Sequence, residues 1–328
     1  MKRLKLNQKI IGVALASLVA TTMVSSAAMA AEKEIVAIYK SGTQQYFIDQ
    51  GEGFTAAAEA LGYSAKIINV EMDANLAITA VSDAIASGAK GIAITAPDQS
   101  LGAALSVATA EAGVLMVATD DPLTDSDGNA VPFVGFDGVA MGTEVGKSAA
   151  SLLKASGWLD SASYGVLSVE VQTLSVCNDR TDAAKVQVLA TGASADSIVS
   201  VSYDGTTDAS LAASGPVITA NPGVDKWVVF ACNDEGVLGA TNALRNAGFA
   251  ADDVIAVGLG AYEACLPWKA GIPSGFKSAL YLSGKDVGKA AAEALIESIE
   301  NGTDLPPYSV ADTTIVDPSN YADIMPCG

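Results

Sequence analysis

A repeated alternation of short apolar runs with amphipathic stretches restricts the folding of this chain more than any other feature. Glu34–Tyr39 (EIVAIY), Ser64–Val70, Gly91–Thr95 (GIAIT) and Leu115–Thr119 (LMVAT) read as strands, with a shorter one at Val131–Gly135. Between them Tyr46–Leu61, Asn75–Ser87 and Leu101–Glu111 read as helices; Leu76, Ile78, Val81 and Ile85 fall near one face of the second. Strands apolar on both sides belong to a parallel sheet covered by helices. The pattern then starts again. A helix over Gly138–Ala155 leads into strands at Tyr164–Val169, Ser197–Tyr203, Trp227–Cys232 and Val254–Gly258. Helices over Ala183–Leu189, Ala209–Ala220 and Gly236–Ala247 fill the gaps. A strand near Gly275–Leu280, a helix over Asp286–Asn301 and a Pro-containing tail from Leu305 close the chain. Two successive βαβ units predict an α/β protein of two doubly wound parallel-sheet lobes. The length of 328 residues suits two such lobes better than one core. No low-complexity linker separates the halves, so a tight hinge of three crossovers is expected and not a tether.

The first thirty residues stand apart. Lys2, Arg3, Lys5 and Lys9 precede the Ala-rich apolar run Ile10–Val24, and Ala28-Met29-Ala30 has the small-x-small form of a cleavage site. Residues 1–30 therefore read as a secretory signal peptide. No cysteine follows the apolar run before Cys177, so a soluble product starting near Ala31, without a lipid anchor, is expected. The formal net charge is −19, which repels phosphate backbones and anionic lipid, and nucleic-acid binding is not expected. Histidine is absent, which removes the commonest general base and metal ligand together. Cys177, Cys232, Cys265 and Cys327 show no C-x-x-C spacing, so neither a zinc cluster nor any other cofactor is expected. An exported chain meets an oxidising compartment. Cys265 with Cys327 is the pairing expected, with Cys177 and Cys232, each just before an Asn-Asp step, left as thiols; whether either pair bonds stays open.

In doubly wound folds ligands bind beyond the carboxyl ends of the strands. Polar residues stand at four such places: Lys40 after the first strand, Asp120-Asp121 after the fourth, Asn178-Asp179-Arg180 before a helix of the second half, and Asn233-Asp234 after WVVFAC. Each has a plainer reading: a solvated strand end for Lys40, a turn for Asp120-Asp121-Pro122, helix N-caps for the two Asn-Asp steps, core for Tyr46 and Phe47. Two adjacent carboxylates also invite a glycosidase reading. Neighbouring strand residues point to opposite sides, however, so the pair does not flank one bond. With no histidine and no nucleophile motif, an enzyme is not expected.

The segments AIYKSGTQQYF, GIAITAPDQSLG, VATDDP, CNDRTDA and VVFACNDEGVLGA, in this order along the whole mature chain, resemble the periplasmic sugar-binding proteins of ABC import systems, the arabinose-binding branch in particular. The resemblance implies a type I binding-protein fold with lobes at 31–136 plus 282–308 and at 137–281 plus 309–328. It implies a periplasmic monomer that closes on one monosaccharide and delivers it to a membrane permease and its ATPase, with a chemoreceptor as a further partner. By the same resemblance Lys40 donates to a ring hydroxyl, Asp121 accepts from the anomeric hydroxyl with Asp120 beside it, Arg180 reaches the ring oxygen, and Asn233 bonds a hydroxyl from the opposite lobe. Tyr46 and Phe47 form an aromatic wall, Tyr46 standing where that branch has Trp. The chemistry is coherent, since a buried sugar needs a partner for each hydroxyl and ionised partners make the stronger bonds. Gln44 replaces a Glu of that branch, Gly260 an Asn and Thr95 a Cys. The ligand is thus L-arabinose with waters filling in, or another aldose such as D-galactose or D-fucose, or a polyol.

Overall fold

A computed structural model of the chain describes residues 33–327. The expected signal peptide, residues 1–30, lies outside the described residues. The first sheet is built from β1 (Glu34–Tyr39), β2 (Ser64–Asn69), β3 (Gly91–Ile94), β4 (Leu115–Thr119) and β5 (Phe133–Gly135). The second uses β6 (Tyr164–Glu170), β7 (Ile198–Ser202), β8 (Lys226–Ala231), β9 (Val254–Gly260) and β10 (Phe276–Leu282). The orders are β11-β5-β4-β3-β1-β2 and β12-β10-β9-β8-β6-β7, the same doubly wound arrangement twice, as the alternation predicts. Every residue of β3 and of β9 is buried, because helices cover both faces.

The helices are α1 (Gln45–Ala60), α2 (Ala74–Ser87), α3 (Gly102–Ala112), α4 (Gly138–Ser156), α5 (Trp158–Ser161), α6 (Ser175–Leu189), α7 (Thr207–Ala220), α8 (Asp234–Asn246), α9 (Tyr262–Ala270), α10 (Gly284–Asn301) and α11 (Tyr321–Ile324). On the first sheet α1 packs beside α10; on the second α4 packs beside α6 and α7 beside α8. Glycine permits the closest of these approaches. A Cβ on Gly142 of α4 would strike the Arg180 carbonyl of α6, and one on Gly288 of α10 would strike the Gln50 carbonyl of α1. One apolar cluster joins the two sheets, running from Phe54 and Leu295 through Phe136 and Leu282 to Leu153 and Phe230.

Four features depart from the sequence-based expectation. Helix α6 begins at Ser175, eight residues early, so Asn178, Asp179 and Arg180 lie inside the helix and not before it. Helix α9 has no counterpart in the reading; it starts after Ala261 in the left-handed region and contains Pro267, so its local pattern is weak. The tail forms two strands, β11 (Tyr308–Val310) beside β5 and β12 (Thr313–Val316) antiparallel to β10. Both take their identity from a neighbour far away in sequence. In these pairings Leu282 lies opposite Thr313, and Ser309 and Val310 lie opposite Val134 and Gly135.

The fourth departure concerns the cysteines. Cys265 is joined to Cys327, and Cys177 is joined to Cys232, with Cα separations of 5.9 and 4.9 Å. The thiols expected to stay free are paired because α6, starting early, brings Cys177 in its first turn against the end of β8. Both bridges lie in the second lobe.

Candidate functional site

The sheet orders reverse direction between β1 and β3 and between β6 and β8, and the carboxyl ends of these strands face one cleft. A cavity of about 320 Å³ lies there, at the small end of ligand pockets. Lys40, Gln44, Tyr46, Phe47 and Asp120 line it from the first lobe, and Arg180, Asn233 and Gly260 from the second. Two residues of the expected set stand behind the wall. Thr95 is fully buried, and its hydroxyl shares a hydrogen bond of 2.8 Å with Thr119. Asp121 is also fully buried, and its Oδ2 accepts from the Lys40 ammonium.

Asp120 explains that difference. Its φ of 60° puts it in the left-handed region, a strained conformation for a residue with a side chain. The turn that follows sends Asp121 back into the lobe and leaves Asp120 on the cavity. Asp120 Oδ2 lies 3.5 Å from Lys40 Nζ, so both carboxylates hold one lysine from two sides. Burial works against the Lys40 ammonium, yet Asp121 and then Asp120 outweigh it and hold its pKa above the ordinary value. Burial also pushes the Asp121 carboxyl up, against the pull of Lys40.

Arg180 approaches from the other side, 5 % exposed. Its Nη1 donates to the Cys232 carbonyl at 3.2 Å, so the Cys177–Cys232 bridge and this bond fix the guanidinium together. Its Nη2 lies 3.5 Å from Asp120 Oδ1, and neither Nη2 nor Nε makes a hydrogen bond. Two buried donors of a residue that lines the cavity are therefore without a hydrogen bond, which is costly unless a ligand meets them.

Asn233 makes three hydrogen bonds within its own lobe. Its Oδ1 accepts from the Gly236 N–H at 2.9 Å, capping α8, and also from the Tyr203 hydroxyl. Its Nδ2 donates to the Gly205 carbonyl at 2.9 Å. The side chain lines the cavity but its amide is committed, and the N-cap reading describes it. Gln44, from the first lobe, donates to the same Gly205 carbonyl at 3.4 Å. A second contact between lobes lies at the rim, where Ser175 donates from its N–H and its hydroxyl to Gln99 Oε1 at 2.8 and 2.9 Å.

The aromatic wall is wider than expected. Tyr46 packs on Phe47, Phe136 and Tyr262 at centroid distances of 5.0, 6.3 and 6.4 Å. The Tyr262 hydroxyl donates to the Leu282 carbonyl at 3.0 Å and accepts from the Gly284 N–H at 3.3 Å, tying α9 to the crossing after β10. Sequence reasoning missed Tyr262, Glu235 and Glu263, all of which line the cavity. Glu235 was legible in principle, since it follows Asn233-Asp234 at a strand end; Tyr262 and Glu263 depend on the unforeseen helix α9. The wall is acidic, and burial with like charges nearby raises Asp234 to about 6 and Glu235 to about 8. Among the described residues no group of three or more His, Cys, Asp or Glu is arranged to hold a metal ion. No helix there is long and apolar enough to cross a membrane.

Comparison with known proteins agrees with this architecture. A model of the periplasmic binding protein domain matches residues 35–304. An ABC transporter L-arabinose-binding periplasmic protein of Azospirillum brasilense is 32% identical over 270 residues, 81% of this chain and 80% of the relative. The L-arabinose-binding periplasmic protein of Escherichia coli is 24% identical over 315 residues, 94% and 95% of the two chains. Among solved structures, an ABC transporter solute-binding protein from Mycobacterium smegmatis with bound glycerol superposes with a TM-score of 0.75 at 21% identity, over 90% of this chain and 98% of that one. By the matched domain, the identity to the Azospirillum relative and the twice-repeated doubly wound sheet, the chain belongs to the periplasmic binding protein family.

Proposed function

We propose that the protein is the periplasmic substrate-binding subunit of an ABC sugar importer and that it holds one neutral monosaccharide, an L-arabinose-like aldose, between its lobes. The observation that carries this reading is the cavity itself: buried cationic donors from both lobes, Lys40 and Arg180, converge on it beside Asp120 and an aromatic wall. Such a set pairs with ring hydroxyls through charge-assisted hydrogen bonds, while Tyr46 covers the C–H face. Asp120 serves as the acceptor, and Asp121 anchors Lys40 from behind. Thr95 supports the wall, and Asn233 supports α8 without touching the ligand.

Closure joins the lobes through the rim contacts of Gln99 and Gln44, and the closed monomer docks on a permease whose ATPase drives import. A chemoreceptor is a second docking partner in this reading. Residues 1–30 are removed on export and no lipid is attached. The sugar leaves unaltered in this reading: of the adjacent carboxylates Asp120 and Asp121, both are engaged by one lysine and only Asp120 lines the cavity.

Isothermal titration against pentoses, hexoses, polyols and amino acids tests this. One-to-one heat with a neutral aldose, and recovery of that sugar unchanged after long incubation, is the expected result. Heat with an amino acid and none with any sugar would overturn it. The rival ligands D-galactose, D-fucose and polyols are arms of the same titration.

A further inference from the structure

The second-lobe wall carries more acid than the cations of the cavity answer. Lys40 and Arg180 are the cationic side chains that line it, and both face Asp120. Glu235 and Glu263 line the same cavity, and among the described residues no ion pair engages either. Glu235 stands in the first turn of α8, two residues past its cap. The field of Lys40 reaches its carboxyl from the first lobe, and those of Asp234 and Glu263 reach it from the second. Asp204, from the segment leading into α7, Asp208, in the first turn of α7, and Arg180, from α6, complete the charged lining on this side. At Gly260 the wall has no side chain, and its φ of 130° disfavours any residue with a Cβ. Ligand atoms on that side therefore need another partner, and Glu235 and Glu263, which line the same cavity, are the carboxyls of the second-lobe wall without an ion pair. The buried Arg180, whose Nε and Nη2 make no hydrogen bond, offers donors to acceptors of a ligand in the same cavity.

We propose that Glu235 is a direct ligand contact that selects the sugar: its carboxyl takes the hydroxyl on the second-lobe side of the ring, where Gly260 offers nothing, while the rest of the lining, in which Asp120, Asp204 and Asp208 outnumber Lys40 and Arg180, rejects sugars bearing a carboxylate or phosphate. This rests on the reading of the cavity as a sugar site. Burial, with the charges of Asp234 and Glu263 added, already favours the protonated form of Glu235. A bound ring removes more water from it and favours that form further. Affinity for a neutral sugar therefore falls as pH rises through about 8.

The test is a titration of L-arabinose, D-galactose and D-galacturonate into the wild type, Glu235→Gln and Glu235→Ala at pH 6 to 9, with thermal unfolding as the check on folding. In the wild type the neutral sugars bind, galacturonate binds at least about a hundredfold more weakly, and neutral-sugar affinity drops roughly fivefold from pH 7 to 9. Glu235→Ala weakens binding about tenfold or more. Glu235→Gln retains binding with a flat pH profile and a changed ranking of the two neutral sugars. A wild type that binds a neutral sugar, beside variants that keep its affinity, ranking and pH profile, overturns the role of Glu235 while leaving the sugar site standing. A wild type that binds no sugar overturns both. Should Glu235→Ala not fold, Glu235→Gln decides alone, and an unchanged pH profile and ranking in it refutes the proposal.

Discussion

The two lobes present the cavity with walls of opposite kinds. In the first lobe the charged groups satisfy one another: Lys40 is held by Asp120 and Asp121, and only its outer face and Asp120 remain for a ligand. In the second lobe they do not. Arg180 Nη2 and Nε make no hydrogen bond and Nη2 meets Asp120 only at 3.5 Å, and no ion pair engages Glu235 or Glu263 among the described residues. The second lobe also holds both disulfides, and the first holds none. A wall whose charges are mutually paired is rigid before a ligand arrives; a wall with unpaired groups gains partners only when one does. In the proposed reading the first lobe supplies a fixed platform and the second supplies discrimination, on a frame that carries both covalent links.

This contrast can be broken in graded ways. The largest effect is expected at Lys40. Lys40→Met strands Asp121 as a buried unpaired carboxylate, at a cost of about 3–5 kcal/mol, read by denaturant unfolding. Because the carboxylates hold Lys40 above its ordinary value of 10.5, its contribution is complete below pH 10.5 and fades only above that. Removing a bridge comes next. Each closes a loop of 55 or 62 residues, and its loss costs about 2–4 kcal/mol. The two bridges should differ in function: losing Cys177–Cys232 loosens Arg180 and weakens sugar binding, whereas losing Cys265–Cys327 lowers stability alone. Equal effects on affinity would contradict the positioning role of the first bridge.

Arg180→Ala should weaken binding at least about tenfold, because two buried donors are lost from the ligand. The unliganded protein should also respond to pH through the second lobe. With Glu235 raised from its ordinary 4.5 to about 8, its stabilising share is whole below pH 4.5 and lost as pH rises toward 8. The unfolding midpoint should fall between pH 5 and 8, by a few degrees at most, and Glu235→Gln should flatten that slope. The smallest effect is expected at the rim. Gln99→Ala removes the acceptor for two bonds from Ser175 and should weaken binding about fivefold through poorer closure.

Much of the frame was legible because its signals are local. Runs such as GIAIT and VVFAC sit in buried strands whatever surrounds them, and the rule that ligands bind past strand ends located Lys40, Asp120, Arg180 and Asn233 near one cavity. What was not legible depends on distant partners. Three residues of β11 form a strand only because β5 offers an edge. The start of α6 is polar after Cys177, and its first turn is held by packing on α4 and by the bridge to Cys232. Asp120 and not Asp121 lines the cavity because one left-handed residue redirects the chain. Asn233 carried two readings, ligand contact and helix cap; in the structure its Oδ1 accepts from the Gly236 N–H and from the hydroxyl of Tyr203, thirty residues away.

The central claim is that one neutral sugar sits between a paired wall and an unpaired one. A crystal structure of the protein grown with L-arabinose tests it most directly. The account predicts a single sugar in the 320 Å³ cavity, in contact with Lys40, Asp120, Arg180 and Glu235. A sugar seated elsewhere, as in the groove lined by Ile48, Thr55 and Ile67 on the first lobe, or one that leaves Arg180 and Glu235 untouched, would contradict it.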